Sequence, residues 1–156
     1  MKAERNIGAP TVAYWNRRVA SMAMSESSDI PSHETQLEMG RALAGKLFKG
    51  APRNRRLPRD MNRHTMAHVF GDLWQGPDLT VEQRSMITCT VLTALGKEAE
   101  LRLHLRGARN LGIERSALEA MMLHVSHYAG WPTGVSAARL LDEIWETMDA
   151  EEATEG

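Results

Sequence analysis

Valine and isoleucine together supply only 12 of the 156 residues, whereas alanine, leucine and methionine supply 19, 16 and 10. β-Branched residues fill most strand positions, and Ala, Leu and Met are strong helix formers. No stretch alternates cleanly between apolar and polar residues, as a half-buried strand would. The composition therefore predicts an all-α domain. At this length one domain suffices, and its core can form without disulfide or metal staples.

Helix punctuation is regular from residue 32 onward. Ser32 caps a helix to about residue 49, with Leu37, Leu43, Ala44 and Leu47 on one side and Gly50 past its end. A connector over 51–58 carries Arg53, Arg55 and Arg56. Asp60 opens a second helix with Met66, Val69, Phe70 and Leu73 at helical spacing, ending before Gly76-Pro77. Thr80 and Gln83 form a capping box for a third, with Met86, Ile87, Val91 and Leu95 read as its inward face. A fourth spans 98–110 and stops at Gly112. A fifth runs from 114 or 116 to 128, before the break Gly130-Trp131-Pro132. The sixth covers 133–148 with Val135, Ala138, Leu141, Ile144 and Trp145. The domain is thus expected over 33–148. Residues 1–32 read as an extension or arm, in which Tyr14, Trp15 and Val19 form a short amphipathic turn. Residues 149–156 read as an acidic, flexible tail.

Charge and cysteine content exclude several function classes. The net charge is −1 and the pI about 6.6, unlike nucleic-acid-binding domains with pI above about 9. Cys89 is the single cysteine, so neither an intramolecular disulfide nor a dithiol redox centre can form within the chain. No window approaches the roughly 18 apolar residues of a membrane span, and residues 1–20 lack the apolar core of a secretory signal. A cytoplasmic protein with no membrane or nucleic-acid partner is expected.

Polar chemistry is densest between Arg84 and Tyr128. Glu100 and His104 are four residues apart, on one face of the fourth helix. A carboxylate so placed orients the imidazole and raises its pKa, keeping a proton available near neutral pH; the same spacing also suits an ordinary surface pair. His124, His127 and Tyr128 close the fifth helix, where a histidine serves equally as a helix cap. His64 and His68 have the spacing of a two-histidine metal face, but no acidic or cysteine ligand stands nearby, so no metal is expected. The arginines of 53–59 suit a phosphate or carboxylate, or simply a solvated connector. Cys89 lies inside a helix, where a lone cysteine acts as a small hydrophobe.

An ordered series of motifs then carries a family likeness. Phe70-Gly71-Asp72-Leu73-Trp74 is followed by Pro77-Asp78-Leu79, Arg84-Ser85-Met86-Ile87-Thr88 and Leu95-Gly96. Glu100-Leu101-Arg102-Leu103-His104, Arg106-Gly107-Ala108, Asn110-Leu111-Gly112 and His127-Tyr128-Ala129-Gly130-Trp131-Pro132 complete it. The series resembles the carboxymuconolactone decarboxylase family, nearest its γ-carboxymuconolactone decarboxylase branch. The likeness extends upstream to Glu34–Gly50, whose glycine-containing helix and following basic segment match the family's beginning, and covers about three-quarters of the chain.

The resemblance implies an all-α fold of about six helices, shared with the alkylhydroperoxidase D group and assembled as trimers or hexamers. Redox members of that group carry Cys-x-x-Cys before the motif histidine; here those positions are Lys97 and Glu100. The implied activity is cofactor-independent decarboxylation of a small anionic substrate, 4-carboxymuconolactone to 3-oxoadipate enol-lactone or a related β-keto or lactone acid. The expected catalytic residues are His104 as proton donor, Glu100 as its partner and Arg84 as carboxylate clamp. His127 and Tyr128 are the expected hydrogen-bond donors to the lactone, with Trp131 and Trp74 as pocket walls; both tryptophans also suit plain core packing. The family commonly reads Thr-x-x-Glu-Ile-x-Glu at the start of the fifth helix. This chain instead has Glu114-Arg115-Ser116-Ala117-Leu118-Glu119-Ala120, which opens the question of a different substrate. Two other readings are an alkylhydroperoxidase-type antioxidant protein and a non-catalytic oligomeric metabolite-binding protein.

Overall fold

The computed structural model describes residues 31–51 and 57–155. The amphipathic turn around Tyr14 and most of the arginine connector lie outside the described residues. The chain divides into two units, Met1–Ser32 and His33–Gly156. The described residues of the second contain α1 (His33–Leu47), α2 (Arg59–His64), α3 (Val81–Ala94), α4 (Glu98–Asn110), α5 (Arg115–Ala129) and α6 (Trp131–Glu155), with no strand among them. A π-helical turn, Thr65–Phe70, continues α2, and a 3-10 turn, Leu73–Gln75, comes after it.

Two apolar clusters make the core, and α4 is the wall between them. The larger joins Cys89 of α3, Leu101, Leu105 and Ala108 of α4, Leu118 through Val125 of α5, and Ala137 through Met148 of α6. The smaller joins Ala44 and Leu47 of α1 to Phe70 and Trp74, with Phe48, Met66 and Leu111 packed against it. Backbones touch where α1 crosses the π turn. A Cβ at Gly40 would collide with the carbonyl of Met66, and one at Gly71 with the carbonyl of Gln36. Such contact needs residues without side chains. Gly107 likewise lets α4 approach the Leu47 carbonyl, and Asn110 Nδ2 donates to that carbonyl at 2.8 Å.

Three sequence expectations are corrected. Beyond Asp60 the helix does not keep one period: the π turn takes an extra residue and rotates the residues beyond it. Ala67, Phe70 and Trp74 are buried, while Val69 and Leu73, expected inside, face out. In α3 the capping box forms as expected, with Gln83 N donating to Thr80 Oγ1 at 3.2 Å and Thr80 N to Gln83 Oε1 at 2.9 Å. Its buried face, however, is Ser85, Cys89 and Thr93; Ile87, Val91 and Leu95 are exposed, and Met86 is half-buried. Small side chains let α3 pack closely on α4, α5 and α6, which turns the larger apolar ones outward.

The third correction is at the end of the chain. Residues expected to form a flexible tail continue α6 to Glu155. Arg106, buried in α4, donates to both carboxylate oxygens of Glu151 at 2.6 and 2.9 Å. Arg109 reaches Asp149 at 2.6 Å and Glu152 at 3.0 Å, with its guanidinium over the Trp145 ring. The acids that made the tail look disordered are the anchors that hold it. Upstream, the break between α5 and α6 narrows to Gly130, whose φ of +102° suits glycine. Trp131 begins α6 and Pro132 falls in its first turn, where a missing N–H costs no helical hydrogen bond.

Candidate active site

Four rings close a loop around the motif histidine. Phe48 meets Phe70 edge-on with centroids 5.5 Å apart, Phe70 meets Trp74 at 5.4 Å, Trp74 lies 6.2 Å from His104, and His104 returns to Phe48 at 5.5 Å and 88°. Each side comes from a different element: Phe48 from the turn after α1, Phe70 from the π turn, Trp74 from the 3-10 turn and His104 from α4. The rotation imposed by the π turn is what aims Phe70 and Trp74 inward. Phe48 has no motif around it in the sequence, being one apolar residue just past a helix end, and sequence reading missed it.

Burial among these rings sets the state of the imidazole. Desolvation pushes the His104 pKa down to about 4, and the opposing pull of the Glu100 charge is the smaller effect. The expectation of a histidine protonated near neutral pH is therefore corrected for the free protein: its imidazole is neutral. The carboxylate four residues away is exposed and loses much of its influence to water, whereas the apolar rings deny the imidazole its hydration. His104 Nδ1 is buried with no hydrogen-bond partner among the described residues. A buried polar atom without a partner costs about 1–3 kcal/mol, which a bound ligand can recover.

Arg84 approaches the same region from α3. Its Nη2 donates to the Gly76 carbonyl at 3.0 Å, two residues beyond Trp74. Its Nε is buried and has no partner among the described residues. A guanidinium held by one backbone bond, with another N–H unsatisfied, retains donors for a carboxylate.

The remaining expected site residues lie elsewhere. His127, Tyr128 and Trp131 are exposed at the α5–α6 corner, where His127 packs edge-on against Trp131 at 6.1 Å and Tyr128 lies 4.8 Å from His124. None of the ring contacts among the described residues joins them to His104. Of the two expected tryptophan walls, Trp74 is beside His104 and Trp131 is not. His64 and His68 are 5.2 Å apart, with His33 5.7 Å from His68. Among the described residues no group of three or more His, Cys, Asp or Glu side chains has the arrangement of a metal site. Cys89 is fully buried, and burial pushes its thiol up to about 12, so it holds no thiolate at neutral pH. Glu114, at the start of α5 where the family pattern has threonine, makes no side-chain cap, and Ala117 and Ala120, where the pattern has glutamate, are exposed. No described helix is long and apolar enough to cross a membrane.

Comparison with known proteins matches the same stretch of chain. The carboxymuconolactone decarboxylase family model covers residues 59–143, so the upstream likeness at 34–50 lies outside the matched region. A 4-carboxymuconolactone decarboxylase of Acinetobacter baylyi is 36% identical over 89 residues, 57% of this chain and 66% of that protein. The nitrosuccinic acid decarboxylase npaB of Metarhizium robertsii is 35% identical over 69 residues, 44% of this chain and 48% of that protein. The chain thus spans less than two thirds of the length of either relative. The family match runs over more than half of the chain and includes α2 through the first half of α6, with Trp74, Arg84, Glu100 and His104 inside it; the protein belongs to the carboxymuconolactone decarboxylase family.

Proposed function

We propose that this protein is a cofactor-independent decarboxylase of a small carboxylated lactone, with 4-carboxymuconolactone as the first substrate to test. The observation that carries the reading is the desolvated His104 beside Trp74 and Glu100, within the stretch that matches the decarboxylase family. In such a substrate the bond to the departing carboxylate is conjugated to the lactone carbonyl. Its electrons pass through the double bond as carbon dioxide leaves, giving a dienolate, so the substrate is its own electron sink. The protein must hold the anion, favour the developing oxyanion and return one proton to carbon.

Arg84 binds a substrate carboxylate through its free N–H groups. His104 delivers the proton. Because its imidazole is neutral in the free protein, that proton is taken up as the dianion binds: nearby negative charge favours the imidazolium, reversing the desolvation shift. Glu100 adds to this and orients the ring. After transfer to carbon, solvent supplies the next proton. His127, Tyr128 and Trp131 take part through assembly as a trimer or hexamer, in which the exposed α5–α6 corner of one copy meets another. The outward apolar stripe Ile87, Val91 and Leu95 supports such an assembly.

The experiment is carbon dioxide release and loss of ultraviolet absorbance from 4-carboxymuconolactone, with nitrosuccinate assayed in parallel. Turnover of the lactone that depends on His104 and Arg84 supports the reading. Turnover of nitrosuccinate alone keeps the decarboxylase and moves the substrate to an acyclic acid. No carbon dioxide from either sinks it and leaves the metabolite-binding protein. A thiol peroxidase has no support from Cys89, whose sulfur is buried and protonated.

A further inference from the structure

A pocket of about 250 Å³ lies where the C-terminal end of α3 meets the first turns of α4 and α6. Its polar lining is Thr93, Lys97, Glu98, Thr133 and Ser136, over an apolar wall that includes Leu101. Lys97 and His104 are seven residues apart, which is about 10 Å along a helix. None of Phe48, Phe70, Trp74 and His104 lines it, which sets the pocket apart from the four-ring site.

We propose that this pocket binds a small monocarboxylic acid. Two helices begin at it, and the positive ends of their dipoles favour an anion. The Lys97 ammonium adds to that field. Thr93 is 2% exposed, and its hydroxyl has no hydrogen-bond partner among the described residues. A threonine within a helix usually bonds back to its own backbone, as Thr90 does to the Met86 carbonyl at 2.8 Å; Thr93 keeps its donor for something else. Glu98 limits the charge the pocket tolerates: one carboxylate is balanced by Lys97 and the helix ends, and a second would meet Glu98 unscreened. The volume equals that of roughly eight water molecules, room for an acid of a few carbons whose chain lies along Leu101.

Nuclear magnetic resonance titration with butanoate tests this on the full chain, with the isosteric butanamide as the uncharged control. Butanoate at millimolar concentration is expected to move the amide signals of Thr93, Lys97 and Thr133, and butanamide to move them far less. Thr93→Val should weaken butanoate by about fivefold to tenfold and Lys97→Met by about threefold to fivefold. His104→Gln should leave the titration unchanged. Lys97 is exposed, so that variant retains the fold if the Thr93 variant does not. Equal binding of acid and amide, signals that do not move, or affinity insensitive to Lys97→Met would each overturn the assignment. Butanoate that responds to His104→Gln would place its site at the rings instead.

Discussion

The two halves of α4 treat their shielded polar side chains in opposite ways, while the exposed Arg102 of the first half pairs with Glu143 at 2.8 Å. In the second half every long polar group reaches a partner on another segment: Arg106 on Glu151, Arg109 on Asp149 and Glu152, Asn110 on the carbonyls of Leu47 and Lys49. In the first half His104 is stripped of water, and its Nδ1 is left without a partner. One helix thus uses its C-terminal half to hold α1 and α6 in place. Its N-terminal half keeps an unsatisfied group against the Phe48 and Trp74 rings. Folding free energy is spent where no structural need explains it, and such places are candidates for chemistry.

Activity gives the widest separation of the halves. His104→Gln keeps much of the volume but cannot carry the proton, and kcat should fall by about 10²–10⁴ with little loss of melting temperature. Arg84→Met should act mainly on KM, if Arg84 binds the substrate carboxylate as proposed. Arg106→Met should instead lower the melting temperature and leave turnover close to that of the unaltered protein. Carbon dioxide release measured on all three, beside thermal unfolding, checks this; an Arg106→Met protein that folds normally but is inactive would erase the contrast.

Acid unfolding separates the halves by pH. His104 has its folded pKa pushed down to about 4 from an ordinary value of 6.5. The unfolded chain therefore binds its proton first, and stability falls as pH drops from about 6.5 to about 4. The loss from this one group is at most about 3 kcal/mol. His104→Phe should flatten that part of the curve. Glu151 is held below its usual carboxylate range first by the hydrogen bond from Arg106. Its contribution is present above about 4.5 and is lost only as pH falls further, through its folded pKa. Urea titrations at a series of pH values should show two successive declines, the upper abolished by His104→Phe and the lower by Glu151→Gln. A single decline unaffected by His104→Phe would contradict the desolvation of the imidazole.

Legibility in the sequence divides along the same line. Helix ends set by local chemistry were readable: the Thr80–Gln83 box, the limits of α4, and the glycine stops at 96, 112 and 130 all stand where the residues put them. Glu100 and His104 could be placed on one helix because that requires only the helical period. Their electrostatics could not, since the Phe48 ring that desolvates His104 arrives from 56 residues away. The faces of α2 and α3 were misread for two reasons. A π turn leaves no mark in apolar spacing, and Ser85, Cys89 and Thr93 do not look like a core until tight packing is known to demand small side chains. The acidic end was misread because its stability lies in Arg106 and Arg109, some 40 residues earlier.

The smallest expected effect bears on the second half of α4 alone. Gly107 sits against α1, where a Cβ would come within 3.3 Å of the Leu47 carbonyl and 3.5 Å of Leu47 Cδ2. Alanine improves helix propensity by up to about 1 kcal/mol, and the close approach opposes it. The obstructing atom is a backbone carbonyl that also accepts from Asn110, so it cannot move without loosening that bond. Gly107→Ala should therefore come out within about 1 kcal/mol of neutral, on the destabilising side, as read from the urea midpoint. Its effect on turnover should be small, because the added Cβ would press on Leu47 and not on the Phe48 or Trp74 ring that His104 meets. If so small a change did lower kcat, the seam between α1 and α4 would be transmitting strain to Phe48, and the two halves of the helix would not be independent.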